Sequence, residues 1–244
     1  MLLAMGAHVL KCGLQPVLRS LIDAEVITGI ALNGAGSIHD YELSLIGATS
    51  EDVGAVLHCG TFGMAEETGR DINRALREGV AAGVGYGAAV GRFIVEQQNP
   101  FREHSLLAVC HERGVPLTVH VALGTDIIHQ HPTADGSVIG EATFRDFRLF
   151  TRLVTELGDG GVYLNVGSAV LLPDVFLKAL SIAQNLGHHV DRFITVYMDM
   201  KQHYRPLQNV VKRPTAGDSR GYALTGHHEI MLPLLAATVL DRLN

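Results

Sequence analysis

This chain of 244 residues has no tryptophan, only three cysteines, and few charges: 18% charged residues stand against 47% hydrophobic ones. Each shortage excludes something. An odd number of scattered cysteines (Cys12, Cys59, Cys110) makes no disulfide framework and fits a reducing, cytoplasmic setting. Lys+Arg 19 against Asp+Glu 25 leaves a net charge of -6 without a basic stripe, which argues against a nucleic-acid partner. No apolar run reaches the ~20 residues that span a bilayer. The longest uncharged stretch of small residues lies between Glu78 and Arg92, and the apolar opening MLLAMGA lacks the basic flank of a signal peptide. We therefore expect no membrane partner. Low charge with high apolar content also excludes disorder. A chain of this length can bury a large core, and we read residues 1–244 as one domain.

What is present alternates. Short apolar runs at 2–5, 27–32, 117–122, 162–166 and 193–198 read as strands, separated by helical stretches at 14–24, 66–97, 102–112, 143–156 and 169–186. The segment after 198 reads as irregular up to Gly226, and 229–243 as a last helix. The first strand begins at once, so either residues precede it or it sits at an exposed position. This order predicts an α/β, Rossmann-like fold: a mostly parallel sheet with helices on both faces. Polar sequence gathers where such strands end, in GAH, NGAGSIHD, HVALGTDIIHQHP, NVGS and YMDMKQHYRP. In parallel sheets ligands bind outside the carboxyl ends of the strands. Glycine-rich turns there let phosphates approach helix N-termini.

Two further patterns carry weight. Gly79, Gly83, Gly87 and Gly91 recur every four residues, and each costs about 1 kcal/mol against alanine inside a helix. Close packing, within the chain or between copies, is the expected compensation. The same stretch contains Gly83-Val84-Gly85-Tyr86-Gly87-Ala88, which follows a helical pattern and so is not read as a dinucleotide fingerprint. Thirteen histidines include the close pair His129 and His131, near Asp126. Without a third ligand at recognisable spacing, no metal is assigned to it.

The segments GIALNGAGSIHDYELSLIG, GVPLTVHVALGTDIIHQHP, GVYLNVGSAVLLPDVFLKALSIAQNLG, RFITVYMDMKQHYRP and EIMLPLLAATVL, in this order, resemble the deoxyhypusine synthase family. NGAGSIHDYE and the segment 73–93 also resemble the NAD-containing ornithine cyclodeaminase domain of bifunctional arginine-catabolic enzymes. The resemblance implies NAD held at strand-end turns that match Gly6, Ala7 and His8, then Asn33, Gly34, Ala35 and Gly36, and Asn165, Gly167, Ser168 and Ala169. It implies hydride removal from an aliphatic amine or amino acid and an imine intermediate, as in a transferase or deaminase. Asp40, Glu42 or Asp126 would bind the substrate ammonium, and His129 would be the general acid/base. Lys212, six residues beyond Pro206, would form the imine, although NVVKRPT lacks the family's Trp-Gly-Lys sequence. Two alternatives stay open: a metal-assisted enzyme using His129 and His131, and a nucleotide-binding module without turnover. Positive mean hydropathy and the glycine stripe favour a homo-oligomer.

Overall fold

The computed structural model describes residues 1–243. Six strands form one sheet: β1 (Leu2–Met5), β2 (Gly29–Asn33), β3 (Leu117–His120), β4 (Val162–Val166), β5 (Ile194–Asp199) and β6 (Arg220–Thr225), in the order β3-β2-β1-β4-β5-β6. Every pair is parallel, with Leu3 beside Ile30 on one side and Leu164 on the other. Strand order reverses between β1 and β4, so the crevice expected of an open α/β sheet lies at their ends. β1 is thus central and buried, not at an exposed position.

Alternation along β1 separates two cores. Leu3 and Met5 pack with helices α1 (His8–Lys11), α2 (Gln15–Asp23), α3 (Gly34–Ile46), α5 (Glu66–Ala81), α6 (Tyr86–Glu96) and α7 (Leu106–Arg113). A short α4 (Val53–Val56) lies outside this core. Leu2 and Ala4 face the other way, toward Phe150 of α8 (Gly136–Thr155) and Phe176 of α9 (Leu171–Asn185). Both faces of the sheet are therefore covered, which explains the unbroken apolar strands.

Two readings of the sequence need correction. The region 66–97 is two helices, because Gly83 takes φ +78° and ends the first. The stretch after β5 is ordered: α10 (Tyr204–Pro206) widens into a π-helical segment, Leu207–Lys212, that crosses to β6. Arg220–Thr225 escaped notice because its edge position leaves most of its residues exposed, so it carries no apolar run. The last helix, α11 (His228–Leu243), packs on α2 and closes the first core. No described helix is long and apolar enough to cross a membrane.

The glycine stripe packs inside the chain. A Cβ on Gly79 would meet Ala89, on Gly87 the Leu117 carbonyl, and on Gly91 the Leu107 carbonyl. These close approaches bring α6 onto β3 and α7. Gly87→Ala would drive a methyl group into backbone that cannot move aside, costing about 1–3 kcal/mol. Gly136→Ala, at the open first position of α8, is expected to be neutral or stabilising by up to about 1 kcal/mol. Urea unfolding midpoints of the two variants check this contrast.

Candidate functional site

Around the first core, backbone amides at helix N-termini meet carboxylates from the chain itself. Asp40, fully buried, accepts from the Leu106 and Leu107 amides (2.8 and 3.0 Å) and from Ser105 Oγ (2.5 Å), all at the start of α7. Asp146 holds the start of α6 through Oδ2 alone, which accepts from Gly87 N at 2.9 Å and from Val119 N of β3 at 2.7 Å, while its Oδ1 is buried without a partner. Burial pushes Asp40 up to about 6 and Asp146 up to about 7, against the opposing pull of these hydrogen bonds. Asp40 is therefore not available to a substrate ammonium, which corrects the sequence reading.

Asp126 is different. Its carboxylate lies directly over Gly34, the first residue of α3, where a Cβ would collide with Oδ2. Oδ1 accepts from Thr125 Oγ1 at 3.4 Å, while Oδ2 is buried and has no partner. Desolvation raises its pKa, with the neighbouring His129 opposing the shift. Asn33 completes this corner by capping α3, its side chain accepting from Gly36 N at 3.0 Å. The anion position at α3 is therefore held by the protein's own oxygens, and the glycine turn at 33–36 is not open to a phosphate there.

Beside Asp126 a cavity of about 250 Å³ opens between α1, α3 and the loops around Glu51 and Phe62. Its wall carries Lys11, Ala35, His39, Glu42, Glu51 and Asp126. Larger hollows exist, one between α8 and α9 and one beside Asp23 and Thr28, but both lie away from the carboxyl ends of the strands. Thr49 donates to Glu42 Oε2, so its hydroxyl oxygen accepts from His39 Nδ1 at 2.6 Å. That chain places the His39 proton on Nδ1 and leaves Nε2 as an acceptor. Burial, with a smaller contribution from Lys11, lowers His39 to about 4, so it is neutral near pH 7. The cavity thus presents carboxylates with one ammonium, Lys11, beside them. Sequence reasoning found Glu42 and Asp126 but missed Lys11, three residues past GAH, and His39, which stands within NGAGSIHD.

The other candidates fall in three places. Gly6 and Gly167 pack backbone to backbone at the β1/β4 reversal, so a Cβ on Gly6 would strike the Gly167 carbonyl. Ala7 leads into α1, and His8 points outward, exposed. Asn165 Nδ2 donates to the Ser168 carbonyl at 3.0 Å, leaving its buried Oδ1 unpartnered. Ser168 Oγ accepts from Leu172 N in the first turn of α9, and Ala169 precedes the exposed Val170, the N-cap residue, whose side chain offers no acceptor. Gly167 takes φ +63° and lies under His228, whose buried Nδ1 also lacks a partner.

His129 is partly committed: Nδ1 accepts from the Gly124 and Asp126 amides at 3.1 and 3.2 Å, so the proton resides on Nε2, which is buried without a partner. His131 turns elsewhere, to Thr133 and to Glu66 at 3.0 Å. Among the described residues this pair joins no group of three potential metal ligands. Lys212 is a second correction. It is exposed at the far end of the π-helical segment, next to Val211, whose carbonyl meets Gly221 near the start of β6. That is the opposite edge of the sheet from the cavity.

No protein-family model and no curated protein matches this chain. Solved structures do. A LOR/SDH protein from Methanococcus maripaludis S2 is 15% identical with a TM-score of 0.58, over 99% of this chain and 60% of that one. AgrE, solved in a ternary complex with ornithine and NAD+, is 13% identical with a TM-score of 0.58, over 100% of this chain and 30% of that one. A protein assigned as a deoxyhypusine synthase from Entamoeba histolytica is 12% identical with a TM-score of 0.53, over 98% of this chain and 74% of that one. This chain therefore spans less than two thirds of the first and less than a third of the second. At such identities the likeness establishes the Rossmann-like fold, shared with deoxyhypusine synthase-like and AgrE-like structures.

The raised carboxylates give a pH test. Asp40 and Asp146 bind their protons more tightly in the folded chain than in the unfolded one, where an aspartate titrates at about 4. Their contribution to stability is therefore complete below about pH 4 and is lost as pH rises through about 6 and about 7. Urea unfolding between pH 4 and 8 should show the wild type losing stability relative to Asp40→Asn and Asp146→Asn as pH rises.

Proposed function

We propose that this chain, as one domain, is an NAD-binding enzyme acting on an aliphatic amine or amino acid held in the cavity between α1 and α3. The observation that carries the reading is the buried, unpartnered Oδ2 of Asp126 at the edge of a cavity that also holds Glu42 and Lys11. An orphaned carboxylate oxygen is a costly feature that a substrate ammonium would satisfy. In an amino acid, Lys11 would pair with the carboxylate.

The fit of NAD is uneven across the strand ends. The β2–α3 turn does not suit its pyrophosphate, because Asp126 and Asn33 hold that corner. The β4–α9 turn suits it better: Gly167 and Ser168 lead to a fifteen-residue helix whose N-cap residue, Val170, offers no acceptor and whose Leu172 amide is met by Ser168 Oγ, with the orphaned polar atoms of Asn165 and His228 alongside. Gly6, Ala7, Asn165, Gly167, Ser168 and Ala169 would hold the dinucleotide. When bound, NAD would accept hydride from the carbon that bears the amine, leaving an imine.

The chain's own groups do the rest. Asp126 and Glu42 orient the ammonium, and Asp126, with its raised pKa, is suited to take a proton from it. His129 holds its proton on the buried Nε2, behind Asp126. The imine role assigned to Lys212 is withdrawn, since that residue lies at the opposite edge. The reading also expects a cytoplasmic homo-oligomer, which light scattering measures.

Thermal-shift titration tests the binding claims. NAD at a hundred times its dissociation constant should stabilise the fold by about 2.7 kcal/mol, a rise of about 5–10 °C for a chain of this size. Ornithine and diamines should add to that shift. Asp126→Asn should weaken amine binding at least about tenfold, the loss of one charge-assisted hydrogen bond. It should also abolish the strengthening of binding as pH rises through the raised Asp126 pKa. Lys212→Ala should leave both shifts unchanged. No response to millimolar NAD would overturn the cofactor assignment.

A further inference from the structure

A second cluster of reactive side chains stands near the ends of β1 and β6, outside the cavity. His8 opens α1 and Cys12 follows its last residue, four positions on and so on the same helical face. Glu229 lies in the first turn of α11. One ligand atom from each of the three, an imidazole nitrogen, Sγ and a carboxylate oxygen, lies within 4.8 Å of the others. Burial and the neighbouring Glu229 carboxylate raise the pKa of the Cys12 thiol and keep the proton on sulfur. His8 and Glu229 are exposed and Cys12 is half-buried. Beside them His228, 96% buried, keeps its unpartnered Nδ1, its ring 6.1 Å from that of His8. Among the described residues, no other His, Cys, Asp or Glu trio converges this closely.

We propose that His8, Cys12 and Glu229 bind a divalent transition-metal ion of the zinc type. The donor set makes that choice. Calcium and magnesium take oxygen ligands, whereas a mixed thiolate, imidazole and carboxylate set suits a borderline-soft ion. Zinc bonds are about 2.0–2.3 Å long, so two ligands of one ion stand no more than about 4.6 Å apart. The exposed side chains of His8 and Glu229 close the small remaining gap by changing rotamer. On binding, the Cys12 proton leaves to solvent, and Glu229 turns its carboxylate to the metal. Three protein ligands leave a fourth position for water or a small ligand, the pattern of an open rather than a closed structural site. His129 and His131, the pair that the sequence pointed to, take no part. The site does not rest on the NAD reading, since neither Cys12 nor Glu229 belongs to the proposed cofactor turns.

The test uses the full chain freed of metal, titrated with zinc ion against a chromophoric chelator and separately with cobalt(II). One equivalent should bind, and cobalt should give a near-ultraviolet thiolate-to-metal charge-transfer band. Cys12→Ser should abolish the band, and Cys59→Ser should retain it. His8→Ala and Glu229→Gln should each weaken zinc at least about tenfold, the lower bound for losing even an outer-shell partner. Cys12→His, which restores a ligand, should bind zinc without the band and so separates lost ligation from lost folding. Absence of zinc uptake at micromolar free ion overturns the proposal. So does a band that survives in Cys12→Ser, or affinity untouched in both His8→Ala and Glu229→Gln. Failure here leaves the thermal response to NAD as it was, so the two claims fail separately.

Discussion

Three helices of the first core begin against a carboxylate that the chain itself supplies: Asp146 at α6, Asp40 at α7 and Asp126 at α3. A helix N-terminus offers unsatisfied amides and a partial positive charge, and here those groups are met from within. The arrangement fixes the geometry of everything around it. Asp40 ties α3 to α7 and Asp146 ties α8 to α6 and β3, so the first core is held by polar anchors as well as by apolar packing. It also decides where a foreign anion can go. With α3 closed, the proposed place for a phosphate moves to the start of α9 beside the β1/β4 reversal, where Val170 offers no side-chain cap.

Asp126 differs from Asp40 because its anchoring is incomplete, and from Asp146, whose Oδ1 is also buried and unpartnered, because it borders the cavity. Asp40 engages both oxygens with donors from α7, whereas Asp126 leaves Oδ2 buried and unpartnered beside a cavity. A low-dielectric site with an unsatisfied acceptor favours a cation that can reach it. The same logic separates the histidines. His120 is buried, its Nε2 bonded to Thr118, and desolvation lowers it to about 3, so it is a neutral core group. His39 is linked to Glu42 through Thr49 and faces the cavity, which gives it an orientation that His120 has no use for.

The legibility of the sequence followed its physics. Buried parallel strands are continuous apolar runs, so β1, β4 and β5 could be located to within a residue or two. β6 could not, because an exposed edge strand carries no such run. The glycine stripe correctly announced close packing, but periodicity could not show that Gly83 breaks the helix while Gly87 meets a strand carbonyl. Of the candidate site, Glu42 and Asp126 were found through their position in strand-end loops. Lys11, in a short helix after β1, gave no motif. Lys212 was chosen by its distance from Pro206, and distance along a chain does not reveal which edge of a sheet a crossover reaches.

By itself, the sequence determined the class of fold and where its polar strand-end loops collect. Alternating apolar strands and amphipathic helices admit few architectures, and in a parallel sheet polar loops collect at the carboxyl ends. Only the tertiary structure decided which acidic residues anchor helices and which remain available. That distinction depends on contacts between positions far apart in the chain, such as Asp40 with Leu106 or Asp126 with Gly34. A carboxylate's role is set by the donors that reach it in space, and residue type and spacing record neither.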